Sequence, residues 1–195
     1  MTRTARRERE TRETKVIVEL DLDGGEVAVA TGIPFFDHML EQLGRHGGLG
    51  LRISAAGDLE IDAHHTVEDT GLVLGEALLE AAGDKRGTGR YGHALVPMDD
   101  ALARVALDFS GRSYLVYRVR VPAETIGSFD TALTEEFLHA LCRGAGLTLH
   151  VALLDGHNAH HAVEAVFKAL ARALSDAVSL YSRAGGAVPS TKGTL

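Results

Sequence analysis

Two adjacent histidines with a glutamate three residues after the second occur twice in this chain, as His64-His65-Thr66-Val67-Glu68 and as His160-His161-Ala162-Val163-Glu164. Imidazole and carboxylate are the side chains that hold borderline transition metals, and this donor mixture suits manganese, iron or zinc. On a helix, positions three and four apart share a face, so each glutamate can lie beside the histidines before it. Adjacent histidines diverge by about 100° around the axis, because a turn holds 3.6 residues. One pair therefore offers one ring to each of two ions rather than both rings to one. Two such elements brought together would make a two-metal site.

The elements that must carry these motifs can be read from hydrophobic spacing. Lys15–Asp23 and Glu26–Thr31 alternate apolar and polar residues, as do Ala101–Ser110 and Tyr114–Val121, and each pair reads as a hairpin. Phe35–His46 and Thr131–Arg143 have helical spacing, and Leu49–Ala55 and Leu147–Leu154 read as strands. Asp58–Asp62 reads as a short strand leading into the first motif, whose helix runs to about Ala82; the helix of the second motif runs to about Tyr181. Residues 1–10 are charged and read as peripheral, Gly87–Gly92 as a loop, and the tail from residue 184 as irregular.

The order strand, strand, helix, strand, helix thus appears twice, and the halves can be laid on each other. Leu40, Leu43, Arg45, Gly48, Leu49 and Leu51 match Leu138, Leu141, Arg143, Gly146, Leu147 and Leu149 at an offset of 98. At an offset of 96, His64, His65, Val67 and Glu68 match His160, His161, Val163 and Glu164. This is an internal duplication, with repeats over 12–92 and 93–183 and a tail over 184–195, in a single catalytic domain spanning 1–195. The fold class it predicts is α+β, a tandem pair of half-domains, each a mainly antiparallel sheet with two helices on one face. By the first offset His38 maps onto Glu136. The candidate metal ligands are then His38, His64, His65 and Glu68 from one half, and Glu136, His160, His161 and Glu164 from the other. For His46, His93, His139, His150 and His157 nothing supplies a partner at ligand spacing.

Composition bounds the rest. The net charge of -7 argues against a nucleic-acid footprint, though not against a small anionic ligand met by local basic residues. The lone cysteine, Cys142, excludes an intramolecular disulfide and reads as a packed thiol on an amphipathic helix. No apolar stretch follows the charged N-terminus as in a signal peptide, and no window approaches a membrane span, so the expectation is a cytoplasmic protein.

The runs TGIPFFDHMLEQLGRHGGL, DAHHTVEDTG, LDFSGRSYL, FDTALTEEFLHAL, GHNAHHAVEAVFKALARAL and PSTKG resemble the imidazoleglycerol-phosphate dehydratase family of histidine biosynthesis, over about Arg12 to Leu195. The resemblance implies a ribosomal protein S5 domain 2-like fold and a monofunctional lyase. Its reaction is the dehydration of D-erythro-imidazole glycerol phosphate to imidazole acetol phosphate, the sixth step of the pathway. It implies two Mn2+ per active site, other divalent metals being possible, and a homo-oligomer of 24 subunits with sites between subunits. Many members carry histidine where this chain has Glu136, which keeps an oxygen donor and adds negative charge. The resemblance further implies Glu13 as acid/base, with Glu68, Glu164 and Lys168 also at the catalytic centre. Arg90, Arg112, Lys168, Ser190 and Lys192 would bind the phosphate, and Glu13 would touch substrate. Lys168 lies four residues after Glu164 and so shares its helix face.

That chemistry explains the donor set. Dehydration removes the C3 hydroxyl and a C2 proton that no carbonyl acidifies. A ring that has lost its N–H can push electrons outward and expel the hydroxyl; C2 deprotonation then gives an enol that becomes the ketone. Two other functions fit paired ions: a two-metal phosphoester hydrolase, and a metal-loaded storage shell, which would have no use for Arg90, Arg112 and Lys168.

Overall fold

The computed structural model describes residues 2–181 and 186–193. The edges of the expected repeats and tail that fall at Met1, 182–185 and 194–195 lie outside the described residues. Fourteen elements follow in chain order: β1 (Thr4–Glu10), β2 (Thr14–Asp21), β3 (Val27–Ala30), α1 (Pro34–Gly47), β4 (Gly50–Gly57), α2 (His64–Ala82), β5 (Tyr91–Met98), β6 (Ala101–Asp108), β7 (Tyr114–Arg118), β8 (Thr125–Ile126), β9 (Phe129–Asp130), α3 (Leu133–Ala145), β10 (Thr148–Asp155) and α4 (Ala159–Val178).

Two four-stranded sheets have the same topology, β1-β2-β4-β3 and β5-β6-β10-β7, with β8 and β9 forming a small separate ribbon. In each sheet the first three strands are antiparallel and the last is parallel to its neighbour. The alternation that marks β2 and β6 places Val16, Val18 and Leu20, and Ala103, Val105 and Leu107, in the core. The mixed α+β class and the duplication therefore stand.

The expected hairpins do not. β4 lies between β2 and β3, and β10 between β6 and β7. Alternation reports only that a strand has one buried face; it carries no information about which strand pairs with which. Each parallel pair is instead joined by a helical crossover, β3-α1-β4 and β7-α3-β10, as a parallel connection requires. Residues 1–10 are also not merely peripheral, because Thr4–Glu10 pairs along its length with β2. Only Ala5 of that strand is buried, so apolar periodicity could not reveal it. Its charges suit an edge strand, and Arg6 and Lys15 pair with Glu19 and Glu8 on neighbouring strands. Tyr91–Met98 is its counterpart in the second half, so the expected loop ends two residues early. Asp58–Asp62 forms turns rather than a strand, and α4 ends at Val178, not Tyr181.

The helices pack crosswise between the halves. α2 lies on β1, β2 and β4 and packs on α3 of the other half; α4 lies on β5, β6 and β10 and packs on α1. The four helices thus fill the space between two sheets. The α2–α3 crossing depends on glycine: a Cβ on Gly75 would sit 2.6 Å from the carbonyl oxygen of Leu141 and 2.8 Å from the nitrogen of Ala145. Phe137 of α3 is fully buried and meets Phe36 and Phe167, each with ring centroids 5.4 Å away. Burying such a ring stabilises the fold by roughly 1.5–3 kcal/mol. This aromatic column ties α1, α3 and α4 into one core just beneath the histidine motifs.

Candidate metal centre and active site

Both paired-histidine motifs open a helix, and both helices are capped from the repeat-equivalent position. The Asn158 side chain accepts the backbone N–H groups of His160 and His161, and Asp62 accepts that of His64. A short polar residue there satisfies donors that have no partner in the first helical turn.

The crosswise packing brings candidate ligands from both halves together. His38 on α1 and His160 and Glu164 on α4 each offer a donor atom, and the three atoms lie within 4.8 Å of one another. The Glu164 Oε2 atom is 2.9 Å from His160 Nε2 and 3.5 Å from His38 Nε2. Its other oxygen, Oε1, is 2.6 Å from the Lys168 ammonium. Burial pushes the Glu164 carboxyl up, but the Lys168 ammonium and the His160 ring outweigh it and hold it below the ordinary range. Phe35 packs edge-on against the His160 ring at 5.2 Å and fixes its tilt. Two imidazoles and an ionised carboxylate converging on one point fit a divalent cation.

The matching set of the other helix pair is less converged. His64 of α2 and Glu136 of α3 line one cavity of about 440 Å³, together with Gly32, Asp62 and Asp130. Glu68 is turned to Arg143 of α3, at 2.9 Å. Among the described residues, only His38, His160 and Glu164 form a group at ligating distance.

His65 and His161 point elsewhere. Each ring stands nearly perpendicular to that of its neighbouring histidine, at 89° and 83°, with centroids 6.1 and 6.2 Å apart. The divergence expected from helix geometry is therefore present. His65 Nδ1 lies 3.0 Å from Asp58 and 3.8 Å from the half-exposed Glu13. The Asp58 hydrogen bond raises the His65 pKa above its ordinary value, against burial. His161 Nδ1 lies 2.6 Å from Asp100, and its Nε2 lies 3.6 Å from Asp99. The Asp100 carboxyl is held far below the usual carboxylate range by the His161 ring and by the backbone N–H groups of His157 and Asn158. Asp58, Asp99 and Asp100 escaped sequence reading. Asp58 lies seven residues before its histidine, but only strand register brings Asp100 to a histidine 61 residues on.

The anion-binding candidates form a third group. Arg90 makes two hydrogen bonds to Asp108, at 2.7 and 3.1 Å, and donates to the carbonyl of Pro189, so it anchors the tail beside Ser190. Arg112 is largely exposed and lies 3.6 Å from the same Asp108. The Ser190 hydroxyl accepts the backbone N–H of Lys192, whose side chain is exposed. Lys168 is not in this group; it belongs to Glu164. Among the described residues, no hydrogen bond or ion pair joins the arginine group, the Glu13–His65 group and the His38 triad within one chain.

Comparison with known proteins gives a consistent answer. A family model described as imidazoleglycerol-phosphate dehydratase matches residues 31–174. A protein of that name from Halorhodospira halophila is 57% identical over 194 residues, 99% of this chain and 98% of its own. Another from Moorella thermoacetica is 57% identical over 196 residues, covering all of both chains. The crystal structure of imidazoleglycerol-phosphate dehydratase from Staphylococcus aureus superposes with a TM-score of 0.84 at 40% identity, covering 91% of this chain and 99% of its own. The structure of IGPD from Pyrococcus furiosus in complex with (S)-C348 gives the same TM-score and identity, over 97% and 100%.

Proposed function

The chain belongs to the imidazoleglycerol-phosphate dehydratase family, and from that premise we infer how its residues divide the work. The activity is that of a hydro-lyase in histidine biosynthesis, converting imidazole glycerol phosphate to imidazole acetol phosphate with loss of water. The enzyme uses divalent metal, and the observation that carries the site assignment is the convergence of His38, His160 and Glu164.

Two Mn2+ ions per site are proposed, one held by His38, His160 and Glu164, the other by Glu136, His64 and Glu68. When bound, the ions act as Lewis acids and as a template for the ring and diol of the substrate. Lys168 takes Glu164 Oε1 and leaves Oε2 facing the histidines. Glu68 must exchange Arg143 for its ion, which makes the second position the more demanding of the two. His65 and His161 turn away from both sets, so they serve the sites of neighbouring copies. Catalysis then needs a homo-oligomer, proposed as a shell of 24 subunits, and an isolated chain is inactive. Glu13, half-exposed beside His65, is the proposed group that moves the C2 proton. Arg90, held by Asp108, and the largely exposed Arg112 bind phosphate with Ser190 and Lys192. No helix is long and apolar enough to cross a membrane among the described residues, consistent with work in the cytoplasm on a small soluble substrate.

The test is anaerobic turnover of imidazole glycerol phosphate after chelation and back-titration with Mn2+, Zn2+ or Mg2+. Activity should vanish on chelation and return with Mn2+. Failure with every metal overturns the assignment.

A further inference from the structure

The strand registers place the two diverging histidines in environments that look alike and are built differently. Leu20 faces Leu51 across β2 and β4, and Leu107 faces Leu149 across β6 and β10, so the turns before β2 and β6 correspond at an offset of 87. Glu13 in the first turn therefore corresponds to Asp100 in the second. Asp58 follows β4 in an unbroken register, whereas β10 shifts register between Leu153 and Asp155, so the segment after β10 is built differently from the segment after β4. Each half thus has one carboxylate on the Nδ1 atom of its outward histidine, but it comes from opposite walls. In the first half it is Asp58, at 3.0 Å from His65. In the second it is Asp100, at 2.6 Å from His161.

The backbone explains the difference. Gly156 has φ +154°, and a Cβ there would approach the Cβ of Ala101 to 3.2 Å. A side chain at that position would be strained, and the carboxylate on His161 comes from the turn residue Asp100. Asp58 is held differently: its N–H donates to the carbonyl of Glu13, which sets its side chain across from the turn and against His65. With Nδ1 already taken, Glu13 stands 3.8 Å off and keeps its carboxylate exposed.

We propose that Asp58 and Asp100 are positioning residues that keep the proton of His65 and His161 on Nδ1, so that Nε2 is the bare donor atom, and that the transfer of this task to Asp58 is what leaves Glu13 free in the first half alone. A carboxylate behind a ligating imidazole fixes its tautomer and its orientation and raises its basicity. The proposal rests on the reading of His65 and His161 as metal ligands; in the second turn the exposed Asp99 lies on the Nε2 side of His161 at 3.6 Å, whereas Glu13 lies on the Nδ1 side of His65 at 3.8 Å.

The experiment titrates the metal-stripped oligomer with Mn2+ and follows free Mn2+ by electron paramagnetic resonance, in the wild type and in Asp58→Asn, Asp58→Glu, Asp100→Asn and His65→Ala. Asparagine keeps the shape and an acceptor oxygen but removes the charge that strengthens the bond. The expected result is a Mn2+ affinity lower by about 10–100-fold in each asparagine variant, partial recovery in Asp58→Glu, and an unfolding midpoint of the metal-free protein close to wild type. Nitrogen NMR shifts of the metal-free protein should show Nδ1-protonated rings in the wild type and a share of Nε2-protonated rings in the variants. Unchanged affinity in both asparagine variants overturns the proposal, as does a loss of affinity matched by an equal loss of metal-free stability. If His65→Ala itself leaves Mn2+ uptake unchanged, it is the ligand reading that has failed.

Discussion

Replacing Gly75 with alanine should disable one metal position and spare the other. The new Cβ would stand 2.6 Å from the carbonyl oxygen of Leu141, where ordinary contact begins at 3.4 Å, so α2 and α3 must part by about 0.8 Å along that line. The opposing atoms are backbone and cannot rotate away. A gap of that size forfeits about a quarter to a half of each dispersion contact it opens. Overpacking of this kind costs about 1–3 kcal/mol, offset by roughly 1 kcal/mol because alanine is the better helix former. The net loss is up to about 2 kcal/mol, a fall in melting temperature of up to roughly 8 °C for a chain of this length. The functional consequence is larger than the energetic one. His64 and Glu68 ride on α2 and Glu136 on α3, while His38, His160 and Glu164 ride on the other helix pair. Manganese titration followed by metal analysis should therefore fall from the proposed two tightly held ions per chain towards one, with turnover lost. A variant with wild-type melting temperature and two tight ions would refute the reasoning.

Three further outcomes follow from particular side chains. Glu13→Gln should cut kcat by at least about 100-fold, the scale of a lost acid/base group, and leave the Mn2+ content measured by elemental analysis unchanged; surviving turnover removes Glu13 from proton transfer. Lys168→Met should destabilise the metal-free protein by up to about 3 kcal/mol, because Glu164 stays buried without its cation. The folded Glu164 pKa is below its ordinary value, so its stabilisation is present above the unfolded pKa and lost as pH falls through the folded one. The deficit of Lys168→Met should accordingly be largest near neutral pH and close on acidification, in thermal melts followed by circular dichroism. Burial pushes the Cys142 thiol up to about 12, so it should resist thiol reagents at pH 8 in the native protein and react once denaturant is added.

What the sequence revealed and what it withheld divide along physical lines. Helices and their faces were legible because a period of 3.6 is written locally, and so were the duplicated motifs, whose side chains lie within one turn of each other. The grouping of His38 with the second motif rather than the first was not. It depends on α1 crossing to α4, which no local pattern encodes. The same holds for the sheets. Lys15–Asp23 and Glu26–Thr31 alternate just as a hairpin would, yet β4 enters between them, since alternation is blind to pairing. β1 was invisible because its stability comes from backbone pairing and ion pairs rather than from apolar side chains. Asp58 and Asp100 matter through register, and register is a property of two strands at once.

The crossing of α1 on α4 and of α2 on α3 has a bearing on ancestry. A half-length forebear with this fold would have had no complete cluster of its own, because its first helix and its second belong to different clusters. Two copies arranged with helices exchanged would have made two identical clusters at once. Joining the copies into one chain lifted that identity. Each cluster could then differ: histidine at position 38 stands where the other half has glutamate at position 136, and the carboxylate on the outward histidine is Asp58 in one half and Asp100 in the other. Severing the chain in the segment between Ala82 and Tyr91 and producing the two pieces together would rebuild the older arrangement, with neither piece able to gather a cluster by itself.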